Sequence, residues 1–179
     1  KGLSGRLIPS AHANAFVTNW DTERQDGTLT YKDGSRYQLA NAFLLGYGYG
    51  TPRLLSDYKF GDDQDGHDRG APGAMDTSVP DVDLQKACAS NKGDWNCEER
   101  WTSTRGVVAF HNYVADAKLT DWQDDGDNNI AFSRSGKGFL AINNTTADKD
   151  VKYTTDLADG TYCNVYAAMD CSKTVDVKN

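Results

Sequence analysis

The chain has no long hydrophobic run, and none of its apolar stretches approaches the ~18 consecutive residues that suggest a membrane-spanning helix. It is short of positive charge. Lys and Arg together number 19 against 26 Asp and Glu, a net charge of -7 over 179 residues. Binding to a polyanion needs a basic stripe, and none is present, which argues against nucleic acid as a partner. Histidine is scarce and scattered at His12, His67 and His111. No C-x-x-C pair accompanies the histidines, so zinc chemistry has no ligand set of ordinary spacing. Lys1 to Arg6 lack the apolar core of an export signal, so any such signal is expected upstream or already removed. Cysteine is limited to 4 residues, Cys88, Cys97, Cys163 and Cys171. They permit three pairings that spacing alone leaves open, and structural disulfides in an oxidising compartment account for them better than a metal does.

What is present begins with Ala15-Phe16-Val17-Thr18-Asn19-Trp20-Asp21. Four largely apolar residues read as a short buried strand, and polar groups crowd in directly after it: Asn19, Asp21, Glu23 and Arg24. In an α/β enzyme that switch marks a strand end facing the catalytic mouth, where a carboxylate is held on a rigid element. Asp is equally at home in a plain turn, and the residues alone leave both readings open.

The spacing predicts a strand at 15–19, a loop from Gln25 to Gly34, and a helix capped by Ser35. The predicted apolar face of that helix is Tyr37, Leu39, Ala40, Phe43 and Leu44. The glycine-rich stretch Gly46 to Gly50 should stop it, and Arg53 to Ser56 reads as a second strand. Phe60 to Asn96 is a long excursion rich in Gly, Asp and Pro, of a length that tends to be functional or disulfide-tied. A helix over Glu98 to Val114 follows, with Trp101, Val107, Val108 and Phe110 available for packing. From Lys118 the period changes to two. Strands are expected at 130–133, 138–142 and 151–154, separated by Asp124-Asp125-Gly126-Asp127 and Ser135-Gly136-Lys137-Gly138. The boundary therefore falls between a region 1–116 and an all-β region 117–179. Asp62, Asp63, Asp65 and Asp68, like the run starting at Asp121, fail the spacing of a calcium loop and read as solvated acidic turns. Asn143-Asn144-Thr145 and Asn144-Thr145-Thr146 are overlapping N-glycosylation sequons.

Phe16 to Asp21 resembles F-V-x-N-H-D, the last of the short regions shared by the α-amylase family of glycoside hydrolases. The later blocks are similar to the animal and actinobacterial members, in the family's order and over nearly the whole chain. They are Ala42 to Arg53 with Ser56-Asp57-Tyr58, Gly93 to Trp101, Val107 to Phe110, Asn128 to Phe132, Gly138 to Asn144 and Gly160 to Val165. The resemblance implies the end of a (β/α)8 TIM barrel in 1–116, then a Greek-key β-sandwich domain in 117–179. Both would be incomplete here, so the remainder of the barrel is an expected partner.

The implied activity is retaining endo-hydrolysis of α-1,4-glucosidic bonds in an α-glucan such as starch or glycogen, by a secreted enzyme. Asp21 takes the position of the third carboxylate, which stabilises the transition state. The nucleophile and acid/base motifs are absent from this sequence, so the chain alone is expected to be inactive. Trp20 stands where the family usually has His, and is expected to contact sugar or pack beneath the site. Similarity to the chloride-dependent members implies Asn19 and Arg53 as chloride ligands; the plainer alternative pairs Arg53 with a carboxylate. The family's calcium would be held by residues outside this chain. The resemblance also selects the local pairs Cys88–Cys97 and Cys163–Cys171. A catalytically inactive amylase-like module that binds carbohydrate or another protein is the competing reading.

Overall fold

The computed structural model describes residues 7–60, 70–75, 78–90 and 93–178. The acidic run at Asp62, Asp63, Asp65 and Asp68 lies outside them. The chain divides into two compact units, one formed by residues up to Leu54 with those from Thr102 onward, the other by Leu55–Trp101.

The first unit opens with β1 (Asn14–Ala15), which runs parallel to β2 (Thr51–Pro52), with Asn14 opposite Thr51 and Ala15 opposite Pro52. The intervening chain carries α1 (Ser35–Tyr47), so this is a strand–helix–strand crossover. Both strands are shorter than the sequence predicts, and β2 precedes the expected Arg53–Ser56. Thr51 and Arg53 donate their N–H groups to Ala13 and Ala15 carbonyls, each at 2.8 Å. Pro52, which has no N–H, falls between those donors, where the ladder requires none. Beyond Ala15 the β1 backbone leaves the ladder, and Phe16 is exposed while Thr18 is buried.

Ser35 does not cap α1. A one-turn helix at Tyr31–Asp33 precedes it with a reciprocal capping box between Thr30 and Asp33, and Gly34 is the residue that enters α1. The buried face is Tyr37, Asn41, Ala42, Leu45 and Gly46, rotated from the predicted one. The helix stops as expected in the glycine run, at Gly48 with φ 80°, a conformation that costs glycine little.

The predicted helix from Glu98 is broken. Glu98–Arg100 forms a single 3-10 turn, Trp101 is extended, and α3 runs over Thr102–Val114. Ala42 and Leu45 of α1 pack on Val107 of α3, with Val108 and Tyr166 at the margin. Ser103 donates to Gln38 at 2.8 Å, and the His111 ring nitrogen Nδ1 lies 2.7 Å from the Leu45 carbonyl, polar ties that fix the register of the two helices.

An antiparallel sheet follows in the order β3 (Leu119–Asp124), β4 (Asn129–Arg134), β5 (Phe139–Asn143). The central strand is the most buried, with Ala131, Phe132 and Ser133 fully enclosed. Residues 151–154 form no strand, contrary to the sequence pattern. Gln123 of β3 replaces a neighbouring strand there: its amide oxygen accepts the Thr154 N–H at 2.8 Å, and its Nε2 donates to the Thr154 carbonyl at 2.7 Å. The unit ends in a hairpin of β6 (Gly160–Cys163) and β7 (Thr174–Val177), with the Cys163–Cys171 disulfide inside its loop.

In the second unit, α2 (Leu84–Ala87) is a short helix capped by the Asp83 carboxylate, and the Cys88–Cys97 disulfide closes the chain beyond it. Asn96 N–H donates to Asp57 O at 2.9 Å and Lys59 N–H to Asp94 O at 2.6 Å, joining the unit's two ends.

Candidate functional site

The parallel pair sends two loops out from the same end of its strands. Chain leaving β1 turns through Asn19, Trp20 and Asp21, and chain leaving β2 begins with Arg53. Asn19 shapes the first of these turns. Its carbonyl accepts from Thr22 N–H at 3.1 Å and Glu23 N–H at 2.9 Å. Its side-chain Oδ1 accepts from Asp21 N–H at 3.1 Å, Thr22 N–H at 2.9 Å and Thr22 Oγ1 at 2.9 Å. An Asn that captures the donors of the next residues is the ordinary nucleus of a tight turn. Because Asn19 takes up those donors, the two residues after it project outward. Trp20 is 74% exposed and Asp21 is exposed.

Arg53 holds the neighbouring loop with its backbone on β1, and its Nε donates to Asn14 Oδ1 at 3.2 Å. Its side chain is exposed. Glu23, only two residues past Asp21, is buried to 5% exposure and forms an ion pair with Arg24. The sequence alone gave no signal separating the buried carboxylate, Glu23, from the exposed one, Asp21, because both follow the strand within one turn.

A second carboxylate group lies in the unit 55–101. Glu98 is buried, accepts the Asp57 N–H at 3.0 Å and the Ser56 hydroxyl at 3.3 Å, and has Asp57 as a charged neighbour. Burial raises its pKa above the ordinary value of 4.5, against the lowering effect of the Asp57 N–H. Glu99 also accepts from Ser56.

Among the described residues, the metal-ligand types that converge are Cys88, Cys97 and Glu99. Both sulfurs are committed to a disulfide, so this group offers no thiolate pair. The charge of the acidic turn at 124–127 is partly offset by Lys149, whose Nζ reaches Asp127 at 2.9 Å and Asp125 at 3.5 Å. Asp125 is held below its ordinary pKa, chiefly by the Asp127 N–H, and Lys149 is raised, chiefly by its hydrogen bond to Asp127.

A parallel strand–helix–strand unit with polar turns after its strands is thus followed by an antiparallel module. Residues 120–179 match the family described as alpha amylase, C-terminal all-beta domain. The chain is 40% identical over 167 residues to the alpha-amylase-related protein of Drosophila teissieri, and 41% identical over the same length to that of Drosophila sechellia. Each alignment covers 92% of this chain and 32% of the relative, so the chain spans about a third of the length of the curated relatives it matches. Alpha-amylase I of Eisenia fetida superimposes with a TM-score of 0.77 at 31% identity, over 92% of this chain and 36% of that one. A variant of the same enzyme in complex with maltohexaose gives 0.76 at 30% identity, with the same coverage. Residues 120–179 thus match the C-terminal domain of alpha amylases, and the chain as a whole is similar to alpha-amylase-related proteins and to an alpha-amylase.

Proposed function

We propose that this chain is the C-terminal part of a secreted α-amylase that hydrolyses internal α-1,4-glucosidic bonds of starch or glycogen with retention. Residues up to 116 would complete a (β/α)8 barrel contributed mostly by the rest of the protein, and the all-β module would form a Greek-key domain behind it. The observation that carries this reading is the Asn19-Trp20-Asp21 turn, which leaves an indole and a carboxylate exposed in the loop that follows β1. Asp21 acts as the carboxylate that strengthens its hydrogen bonds to the sugar as positive charge develops in the oxocarbenium-like transition state. Trp20 offers a flat apolar face to a pyranose ring and one N–H donor. The nucleophile and the acid/base come from the remainder of the barrel, which also supplies the ligands for calcium.

Asn19 and Arg53 hold a chloride ion in this reading. Arg53 would exchange its Asn14 contact for the anion, and Asn19 would serve through its amide nitrogen, since Oδ1 is taken by the turn. A chloride near the acid/base disfavours that group's ionisation and keeps it protonated to higher pH.

The test is Asp21→Asn in the complete protein, assayed on soluble starch. Removing a transition-state interaction of this kind lowers kcat by about 100-fold or more, with the unfolding midpoint unchanged. Turnover close to that of the parent removes Asp21 from the chemistry. A second reading rests on Trp20, which replaces the usual His: an amylase-like protein that retains glucan without cleaving it. A complete wild-type protein that is retarded by starch in affinity electrophoresis, yet releases no reducing ends, establishes that reading instead.

A further inference from the structure

The two overlapping sequons place two possible glycan acceptors side by side, and the fold treats them differently. Asn143 is the last residue of β5, paired with Asn129 across the ladder. Its side chain is consumed by a closed turn. Oδ1 accepts the Thr145 N–H at 2.9 Å, and Nδ2 donates to the Ala147 carbonyl at 2.8 Å. The hydroxyl of its sequon, Thr145 Oγ1, lies 2.7 Å from Asn143 Oδ1 and 2.9 Å from the Ala147 carbonyl, inside the same turn. Asn143 itself is half-buried.

Asn144 has left the strand. Its backbone N–H is anchored on the Asn128 carbonyl at 2.9 Å, and its side chain is exposed and makes no hydrogen bond among the described residues. Thr146, which completes its sequon, is exposed as well. A glycan on Asn143 would replace one of its two Nδ2 hydrogens and attach a sugar to the nitrogen that donates to Ala147, crowding the turn that ends β5. A glycan on Asn144 leaves every one of those bonds in place and projects into solvent.

The geometry points to Asn144 as the N-glycan acceptor of this module, with Asn143 as the residue that builds its presenting turn. In the transfer, Asn144 Nδ2 forms a bond to C1 of the first sugar of an oligosaccharide carried on a polyprenyl pyrophosphate. The C1–O bond to pyrophosphate breaks, the amide gives up one proton, and the lipid pyrophosphate departs as the leaving group. This site rests on the reading of the protein as secreted, because the donor is met only on the export route.

The experiment expresses the complete protein in a eukaryotic secretory host and compares it with T146A and T145A. T146A removes only the Asn144 sequon, and T145A removes only that of Asn143. The expected result is a glycosidase-sensitive mobility shift in the parent and in T145A, lost in T146A. Deglycosylation in heavy-oxygen water should label Asn144 in the parent. Because T145A also removes a turn contact and could fail to fold, the T146A comparison and the label on the parent stand without it. Protein recovered from the medium with both disulfides formed, but unlabelled at Asn144 or labelled at Asn143, overturns the assignment. That outcome is separate from any result on starch hydrolysis, since secretion and disulfide formation are read independently.

Discussion

Arg134 sits at the end of β4 with 4% exposure and no carboxylate partner among the described residues. Its guanidinium is spent on helix ends. Nη1 donates to the Gly46 carbonyl at 2.5 Å, Nη2 to Val114 O at 3.2 Å and Ala117 O at 2.7 Å, and Nε to Ala117 O at 3.0 Å. The Gly46 and Val114 carbonyls lie in the last turns of α1 and α3, where the helix macrodipoles favour a cation, and the Ala117 carbonyl lies just beyond α3. Gly48 makes room for the group, since a Cβ there would lie 2.7 Å from Nη1. Arg134→Met should therefore lower stability by at least ~2 kcal/mol, because hydrogen bonds from a charged donor contribute about 1.5–3 kcal/mol each. Arg134→Lys should recover only part of the loss, having no planar fork to reach both helices. Urea midpoints of the three proteins decide it; an Arg134→Met protein as stable as the parent refutes the capping role. Glu98 predicts a dependence on pH. Its folded-state pKa is raised by burial, so its contribution is fully present below the ordinary value of 4.5 and is lost as pH rises through the folded pKa. Hydrogen-exchange protection of the 55–101 unit should strengthen on acidification from neutrality, and Glu98→Gln should remove that gain.

At the scale of elements, α3 meets the β6–β7 loop at a glycine. A Cβ on Gly106 would stand 1.7 Å from the Val165 carbonyl oxygen and 3.2 Å from the Tyr166 nitrogen. Only glycine lets the helix approach this backbone, and Tyr166 packs at the edge of the core cluster as a result. The loop itself is closed by Cys163–Cys171. Gly106→Ala is expected to cost about 1–3 kcal/mol as an overpacking substitution, since the obstacle is backbone that cannot rotate away. Replacing both Cys163 and Cys171 by Ser should cost ~2–3 kcal/mol on the chain-entropy account. Because both changes act on one contact, the loosened loop should tolerate the added methyl, and the combined loss should fall short of the sum. Strict additivity in a double-mutant cycle contradicts the coupling.

For the whole molecule the proposed chloride site is decided by the anion response of the complete protein. If chloride sits between Asn19 and Arg53, activity on starch rises with added chloride and the pH optimum moves upward, since the anion keeps the acid/base protonated to higher pH. Arg53→Gln should abolish the response and retain part of the activity. Ionic strength must be held constant with a weakly coordinating salt, because general screening changes rates as well. A rate and pH profile indifferent to chloride leaves Arg53 as the Asn14 partner seen here and nothing more.

Much of the fold was legible in the sequence because it is local. The glycine run after Tyr47, the β-period around β4 and β5, and the acidic turn at 124–127 are each specified by residues within a few positions of one another. The family was legible too, from short blocks whose order carried more information than any one of them. Tertiary structure decided what depends on distant partners. The face of α1 turns toward Val107 and so buries Asn41 and Gly46 in place of Leu39 and Phe43. Residues 151–154 have the pattern of a strand, but the position beside β3 is filled by the Gln123 amide, so no ladder forms. Exposed Asp21 and buried Glu23 could not be told apart from sequence, because the Asn19 turn sets which way each side chain points. Periodicity records which residues are apolar; burial is set by which surface arrives to cover them, and that surface comes from elsewhere in the chain.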